Sequence, residues 1–522
     1  MNGTIDKEYD PASRLDFLSF AFSVPEPYNE VVVGSRGIPM STRKIAYNII
    51  FNSLMKVVTT VVLSLVSIRL ITGYLGKEGF GDYATILAFF AFFSAIADLG
   101  IGSITAREIS REGADESGIL GRVASLRIVS SLAVFLLIPL FLPFSSYALP
   151  VKIGIWIAAG TTVFSTFSIF LNSIFQKNIA MDRIAMVEFM GKIVQVTAVY
   201  AVVIFHLGFL GIASTLVISL SFNALTAFVL SRKYAKFRFV MDIPFWKRFL
   251  YDSLPLGGSA IITFFYFKMD TILLSFIKGS AAVGTYSVAY KVMENLTFFP
   301  ALLAGLILPL LSRALSVDRN RFRDIADTTF RVFSIIAIPI VLGGVFFSEQ
   351  IIAIVSGSGF QDSVPVLELL ILSLIFIFFG NFFNMILIVG NHQKEQMKVL
   401  FVVAISNIVA NLILIPRFSY VGAAWTSLGT ECMVAALTGI LTFRLLRYRP
   451  SFEKIGRVML SALAMGGILV LTRPFPFVVS GFLSVFTYLG ALFVLRAVSS
   501  AEIAGLFSKR SERESVFVEE VL

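Results

Sequence analysis

Long apolar segments alternate with short polar loops along most of the chain, from Ile45 to about residue 497. One helical crossing of a bilayer takes about 20 apolar residues at ~1.5 Å of rise each. The pattern predicts fourteen such spans, near residues 45–72, 83–106, 120–142, 151–175, 184–205, 209–231, 250–277, 285–311, 328–348, 364–389, 398–415, 421–443, 455–472 and 475–497. Hydrophobic residues fill 57% of the 522 positions and the mean hydropathy is +0.86. Soluble domains are about 45–50% apolar, so the sequence predicts an all-α integral membrane protein.

A short motif of two glycines and a tyrosine occurs twice between apolar segments, 203 residues apart. The two copies are Gly76-x4-Gly81-x-Tyr83 and Gly279-x4-Gly284-x-Tyr286. Glycine permits the tight backbone of a two-helix hairpin, and tyrosine suits the wet interface of a membrane. A second pair of matches, beginning at Gly211 and Gly422, has nearly the same spacing, 211 residues. The chain is therefore predicted to contain two copies of one unit.

The hairpins join spans 1 and 2 and spans 7 and 8, so the repeat has a period of six spans. Six is even, so both copies enter the membrane from the same side, as in a transporter whose halves are related by a pseudo-two-fold axis along the membrane normal. The predicted organisation is a cytoplasmic tail (1–42), an N-terminal six-helix lobe (43–238), a C-terminal six-helix lobe (239–449), two further transmembrane helices (450–498) and a cytoplasmic tail (499–522).

The charge distribution predicts the topology. With the N-terminus in the cytoplasm, the inner loops and tails carry 32 of the 43 Lys and Arg residues, the outer side carries six and the spans carry five. This bias places both termini in the cytoplasm, with the chain in the cell membrane. The net charge of +10 is then a topology signal that faces anionic membrane lipid, and it does not indicate nucleic-acid binding.

Six segments of the chain carry a recognisable family pattern. In the first half they are RLITGYLGKEGFGDY (69–83), DLGI (98–101) and AREISR (106–111). In the second half they are SLPLGG (253–258), MDTILLS (269–275) and VGTYSVAYK (283–291). Together these segments resemble the polysaccharide-export flippases of the multidrug/oligosaccharidyl-lipid/polysaccharide exporter superfamily. The resemblance covers about residues 43–500, including the count of fourteen spans.

The resemblance implies a MATE-like fold of two six-helix lobes with two C-terminal helices. It also implies that the protein moves a lipid-linked oligosaccharide, on a carrier of the undecaprenyl- or dolichyl-phosphate type, from the cytoplasmic to the outer face by alternating access. Implied partners are membrane lipids, the lipid-linked glycan, H⁺ or Na⁺, and a glycan polymerase or other assembly proteins.

Charged residues inside the predicted spans are the candidates for transport, because each costs roughly 2.5–3.5 kcal/mol to insert and usually faces a cavity or a partner. Glu188 and Lys192 share a helix face, and so do Lys291 and Glu294, so each pair is expected to neutralise itself. The functional hypothesis is a cleft between the lobes with two sets of ligands. The headgroup phosphates would bind Lys56, Arg127, Lys268 and Lys291, and the coupling ion would bind Asp270, Glu294 and Glu431. The competing hypothesis is that these charges pair with one another and pack helices together.

Lys268 and Asp270 lie about 200° apart around their helix, so the two side chains cannot pair with each other. Asp98 is placed near the inner interface by its position two turns before Arg107. Asn407 and Asn411 share a face through their spacing of four residues.

The sequence contains no phosphate-binding loop, no nucleophile elbow and no zinc-protease motif, so no enzyme, cofactor or metal is expected. The single cysteine, Cys432, excludes an internal disulfide. Two alternatives remain open: a multidrug or toxin cation antiporter of the same superfamily, and a membrane glycan polymerase or ligase. An enzyme of that kind is expected to have a large outer loop, whereas the longest one here, Glu349 to Ser363, is short.

Overall fold

The structure is a computed structural model that describes residue 55 and residues 58–497. The two predicted tails and the beginning of the first predicted span, including Lys56, lie outside the described residues. Within them the chain forms helices joined by turns and short coils, and no β-strand occurs there. A helix satisfies its own backbone hydrogen bonds, which is why long apolar segments fold this way in lipid.

The α-helices of the described residues are α1 (Leu63–Asp98), α2 (Ile101–Ile109), α3 (Glu116–Phe141), α4 (Leu149–Lys177), α5 (Met181–Ile204), α6 (Gly208–Ser231), α7 (Ile243–Lys278), α8 (Ser280–Leu296), α9 (Phe298–Val317), α10 (Arg319–Phe346), α11 (Ser348–Ser356), α12 (Val364–Val389), α13 (Gln393–Leu446), α14 (Ile455–Leu471) and α15 (Phe477–Val494). A π-helical turn, Val58–Val62, leads into α1.

Eleven helical stretches of the described chain are long and apolar enough to cross a membrane, so this is a multi-pass membrane protein. Two of them, Val58–Asp98 and Gln393–Leu446, contain a break where the sequence predicts a boundary between spans, at Gly76 and Ser419. The apolar helix α14 is shorter, with 17 residues. The total of fourteen spans stays a prediction.

Matching backbone features recur at the spacings of the sequence repeat. Gly76 has φ 67° and ψ −170°, and Gly279 has φ 80° and ψ −175°, a region that essentially only glycine occupies. Asp115 and Asp318, also 203 residues apart, both cap a helix by accepting a hydrogen bond from a backbone N–H, at 3.0 Å for α3 and 2.8 Å for α10. The two copies therefore share local geometry as well as sequence.

Two predicted elements differ from the structure. The span predicted at 83–106 is broken, because Leu99 (φ 42°) and Gly100 (φ 76°) are left-handed and α2 begins after them. The Asp98 carboxylate stabilises the break by accepting a hydrogen bond from Gly100 N at 3.1 Å. The predicted outer loop 349–363 is largely helical, with α11 followed by a 3-10 helix, Ser358–Ser363. Apolar periodicity does not detect such breaks, because the residues around them are apolar on both sides.

The described chain divides into two compact units. The first contains the residues up to Val288 together with Val355–Phe360 and Asn391–Thr426. The second contains Ala289–Ile354, Gln361–Gly390 and the residues from Ser427 onward. The boundaries of the two predicted lobes stay a prediction.

Each unit has its own core. In the first, Phe170, Phe175 and Phe249 are buried with aliphatic residues of α2 and α3. In the second, α14 and α15 pack on α10, and the Tyr488 hydroxyl donates to the Ile335 carbonyl at 3.0 Å. The last two helices are thus part of the core of the second unit.

The connector after α13 is also fixed to α10 in the second unit. The Tyr448 hydroxyl and the Ser451 backbone N–H both donate to the Asp327 carboxylate, at 2.7 and 3.0 Å. Burial, followed by the bond to Asp327, raises the pKa of Tyr448 above its ordinary value, so this phenol stays protonated and keeps donating.

Candidate functional site

Within the first unit, the two copies of the glycine motif contact each other directly. A Cβ at Gly81 would lie 1.8 Å from the Ser280 carbonyl oxygen, and a Cβ at Gly284 would lie 2.0 Å from the Lys77 carbonyl oxygen. Gly81 corresponds to Gly284 and Lys77 to Ser280, each pair being 203 residues apart. The contact is therefore reciprocal, as at an interface with two-fold symmetry. We call these four residues the glycine seam.

Polar side chains surround the glycine seam. The Ser280 hydroxyl donates to the Asp82 carboxylate. The Tyr147 and Ser275 hydroxyls lie 2.6 Å apart and share a hydrogen bond. Tyr147 lies in the connection between α3 and α4, where burial raises the pKa of its phenol to about 12 although the bond to Ser275 opposes the shift. These groups are therefore neutral donors and acceptors that orient the seam, apart from the Asp82 carboxylate.

A second close contact lies at the C-terminal end of α1, about 18 residues or ~27 Å from the first along the helix. A Cβ at Gly100 would lie 2.6 Å from Leu256 Cβ and 2.8 Å from Gly257 N. A Cβ at Gly257 would lie 2.7 Å from the Leu99 carbonyl oxygen. We call these four residues the break crossing. The chain from Lys77 to Gly100 is thus in close contact with α8 near one end and with α7 at the other.

An ion pair fixes the helix break. Arg127 Nη2 lies 2.6 Å from Asp98 Oδ1, and its side chain is fully buried. The other Asp98 oxygen accepts from Gly100 N. The expectation that Arg127 lines an open headgroup site does not fit this geometry, because its guanidinium is enclosed and already bound to a carboxylate. The competing hypothesis of helix packing describes Arg127 better.

Asp270 lies buried between α7 and α8. Its carboxylate accepts hydrogen bonds from the Tyr286 hydroxyl and, at 2.7 Å, from Thr271 N. Tyr286 is the tyrosine of the second glycine motif, two residues after Gly284. Lys268 is half-buried on the same helix. The structure therefore connects a buried carboxylate to the helix that forms the glycine seam.

The other candidates are distributed over both units. Lys291 Nζ and Glu294 Oε2 lie 2.6 Å apart, as their spacing predicts, and Glu431 is buried in α13. Lys192 donates to Gln195 Oε1 at 2.9 Å, and the pairing of Glu188 with Lys192 stays a prediction.

The remaining predictions concern residues that share a helix or a motif. Asn411 donates to Asn407 at 2.9 Å, as their shared face predicts. Tyr83, the tyrosine of the first glycine motif, is buried in α1. Lys56 lies outside the described residues.

Sequence reasoning missed three features of the site: the reciprocity of the glycine seam, the break crossing and the partner of Arg127. A signal existed for the last one, since Asp98 and Arg127 are charges of opposite sign in neighbouring predicted spans. The break crossing had no comparable signal, because Gly100 and Gly257 are far apart in the sequence and only folding brings them together.

The comparisons with known proteins agree with this architecture. The model of the family described as "Polysaccharide biosynthesis protein" matches residues 45–315, and the MatE model matches residues 255–414. A Haloferax volcanii protein named as a flippase, AglR, is 26% identical over 207 residues, 39% of this chain and 44% of the relative. A second Haloferax volcanii protein, named as the low-salt glycan biosynthesis flippase Agl15, is 24% identical over 216 residues, 40% of this chain and 45% of the relative.

The matched stretch thus spans less than half of the length of these curated relatives. Among solved structures, "Lipid II flippase MurJ, inward closed conformation" superposes with a TM-score of 0.72 at 17% identity, covering 85% of this chain and 98% of that one. This similarity shows a shared all-helical membrane fold. Because the first model matches more than half of the sequence, the chain belongs to the polysaccharide biosynthesis protein family.

Proposed function

We propose that the protein translocates a lipid-linked oligosaccharide from the cytoplasmic to the outer face of the cell membrane by alternating access. Membership of the family, the relatives named as flippases and the shared fold support the substrate class. The glycine seam supports the alternating-access mechanism. A contact made by glycines has no interlocking side chains, so the two helices can separate and rejoin without repacking a core.

The two glycine contacts suggest how access alternates. The seam and the break crossing hold α1 against α7 and α8 at both ends, and one end must open for a headgroup to enter or leave. In this proposal the seam is the outer closure and the break crossing is the inner one. The sidedness follows from the predicted topology, with both termini in the cytoplasm.

Charged residues would compensate for the hydration that the headgroup loses as it leaves water. A diphosphate loses hydration inside the membrane, so the path must supply positive charge. We assign this role to Lys268 and Lys291, with Lys56 as a further candidate. Lys291 forms an ion pair with Glu294, so a phosphate that binds Lys291 would displace the Glu294 carboxylate and leave it available to a cation. H⁺ or Na⁺ would then bind Asp270, Glu294 or Glu431.

The carrier lipid and the partners are also proposals. A carrier of the undecaprenyl- or dolichyl-phosphate type fits the proposed substrate, and a glycan polymerase or another assembly protein would receive the product. The antiporter alternative predicts two helices fewer, whereas α14 and α15 are present and packed into the second unit.

A deletion strain tests the proposed function. We expect a lipid-linked oligosaccharide to accumulate on the cytoplasmic face and the corresponding surface glycan to disappear, with both effects reversed by the intact gene. Susceptibility to cationic drugs should stay unchanged. Normal surface glycan together with increased drug susceptibility would favour the antiporter instead.

Charge-neutralising variants of α7 test the assigned residues. Lys268→Gln is expected to slow translocation by about tenfold or more, the effect of losing a charge-assisted hydrogen bond of ~1.5–3 kcal/mol. Asp270→Asn should change the dependence of transport on the ion gradient. Lys278→Gln and Asp252→Asn, which remove exposed charges from the same helix, are the matched controls. Translocation is measured in vesicles at equal protein content, and equal rates for all four variants would refute the assignment.

A further inference from the structure

The segment 232–248 has an unusual charge balance; it comprises the connection between α6 and α7 and the first six residues of α7. We call it the basic connector. Its six basic side chains are all exposed: Arg232, Lys233, Lys236, Arg238, Lys247 and Arg248. Its single acidic residue, Asp242, caps α7 through Phe245 N at 3.0 Å and lies 3.4 Å from the Arg122 guanidinium. The connector therefore presents a strongly positive surface that its own sequence does not neutralise.

Large apolar side chains are exposed among these charges. The exposed fractions are 56% for Phe239, 79% for Met241 and 72% for Ile243. Exposed apolar groups grouped together on a protein surface indicate an interaction site. Exposed apolar side chains next to basic ones are typical of segments that lie in the membrane interface, where the apolar groups enter the lipid and the charges meet the headgroups.

The backbone of the connector is fixed, so these side chains cannot turn inward. Val240 N donates to the Gly121 carbonyl at 3.2 Å, and the Trp246 indole donates to the Arg122 carbonyl at 2.9 Å. A Cβ at Gly121 would lie only 2.1 Å from the Arg238 carbonyl oxygen, so the chain passes directly over this glycine. The exposure of the apolar groups is therefore a property of the fold and not of a loose loop.

The connector also lies at the right level to meet lipid. It joins α6 and α7, both long and apolar enough to cross a membrane, at the point where they leave it. Phe237 differs from the exposed apolar residues because it packs inward, with its ring 5.4 Å from that of Phe170.

We propose that the basic connector binds the anionic phospholipid headgroups of the leaflet that it borders, with Phe239, Met241 and Ile243 inserted among the lipids. Clusters of Lys and Arg beside a membrane helix attract anionic lipid, which is concentrated on the cytoplasmic side. The proposal rests on the predicted topology of the proposed transporter, and not on the substrate that is transported. It gives the segment between the two repeats a defined lipid ligand.

The charge contribution is tested by titrating the full chain in detergent micelles with phosphatidylglycerol or phosphatidylcholine and following the midpoint of thermal unfolding. We expect phosphatidylglycerol to stabilise the wild type selectively, and Lys236→Gln/Arg238→Gln to need about 25-fold more of it, about fivefold for each charge removed. The matched control is Arg321→Gln/Arg323→Gln, which removes two exposed charges flanking a buried residue, Phe322. Equal midpoints in lipid-free micelles establish that all variants fold.

The apolar contribution is tested with a fluorophore on Val240→Cys in a Cys432→Ser background, in vesicles of phosphatidylcholine and phosphatidylglycerol. We expect quenching by lipids spin-labelled on the acyl chain, and loss of quenching in Met241→Ser/Ile243→Ser. If the charge variants shift the titration but no quenching occurs, the connector binds a soluble or substrate anion and the proposal is wrong. Equal titrations for the connector and control variants would also overturn it.

Discussion

Replacing Gly81 by alanine is expected to reduce translocation by about tenfold, although the protein should still fold and reach the membrane. The added Cβ would stand 1.8 Å from the Ser280 carbonyl oxygen, far inside any permitted contact, so α1 and α8 must move apart. Overpacking of this kind costs about 1–3 kcal/mol. If that cost falls only on the state in which the seam is closed, the population of this state drops by about 5- to 150-fold relative to the state in which the seam is open.

Two variants make this prediction specific. Gly284→Ala should have the same effect, because its Cβ would stand 2.0 Å from the Lys77 carbonyl oxygen on the reciprocal side. Gly73→Ala, also on α1, should leave transport near the wild-type rate, since no atom lies within 4 Å of its added Cβ. Translocation of a fluorescent lipid-linked oligosaccharide in vesicles measures all three. If Gly81→Ala and Gly73→Ala transport equally well, the glycine seam does not open and close during transport.

Removing the Arg127 charge is expected to give the largest loss of stability. Arg127→Met leaves the Asp98 carboxylate without its partner beside a helix break. Breaking a buried ion pair costs about 3–5 kcal/mol. The lower end applies here, because the Asp98 side chain is 21% exposed. The midpoint of thermal unfolding in micelles should therefore fall clearly for Arg127→Met. It should change little for Arg122→Met, whose partly exposed pair is worth about 0–1 kcal/mol.

The double variant Asp98→Asn/Arg127→Met separates packing from substrate binding. If the pair only fixes the break between α1 and α2, removing both charges should restore much of the stability and much of the transport. If Arg127 binds the headgroup, the double variant should be stable and inactive. We expect the first result, because the guanidinium is fully buried and bonded to Asp98.

The fold class was predictable from the sequence because hydropathy decides it. Long apolar segments in lipid can only form helices here, and the two glycine motifs stand where their backbone geometry requires glycine, at Gly76 and Gly279. The shared spacing also predicted equivalent hairpins. These are local properties, encoded within a few residues of where they act.

The contacts of the candidate site were less predictable because they depend on tertiary packing. Gly81 and Gly284 were recognised as turn residues, yet their main role in the structure is to let two backbones touch. Arg127 was expected to bind substrate because hydropathy does not show which side chains of neighbouring spans meet, although the opposite charge of Asp98 in the preceding span was a signal for its partner. Spacing along one helix did predict the Lys291–Glu294 pair, since both residues lie on the same face.

A reversible lock on the glycine seam tests the central claim most directly. Asp82→Cys and Ser280→Cys, combined with Cys432→Ser, place two thiols where a carboxylate and a hydroxyl now share a hydrogen bond. A short thiol-specific bifunctional reagent should join them. The measurement is the translocation of a fluorescent lipid-linked oligosaccharide in vesicles before crosslinking, after crosslinking and after reduction. Alternating access predicts that crosslinking stops translocation, that reduction restores it, and that neither single-cysteine variant responds. Undiminished translocation by the fully crosslinked protein would contradict it.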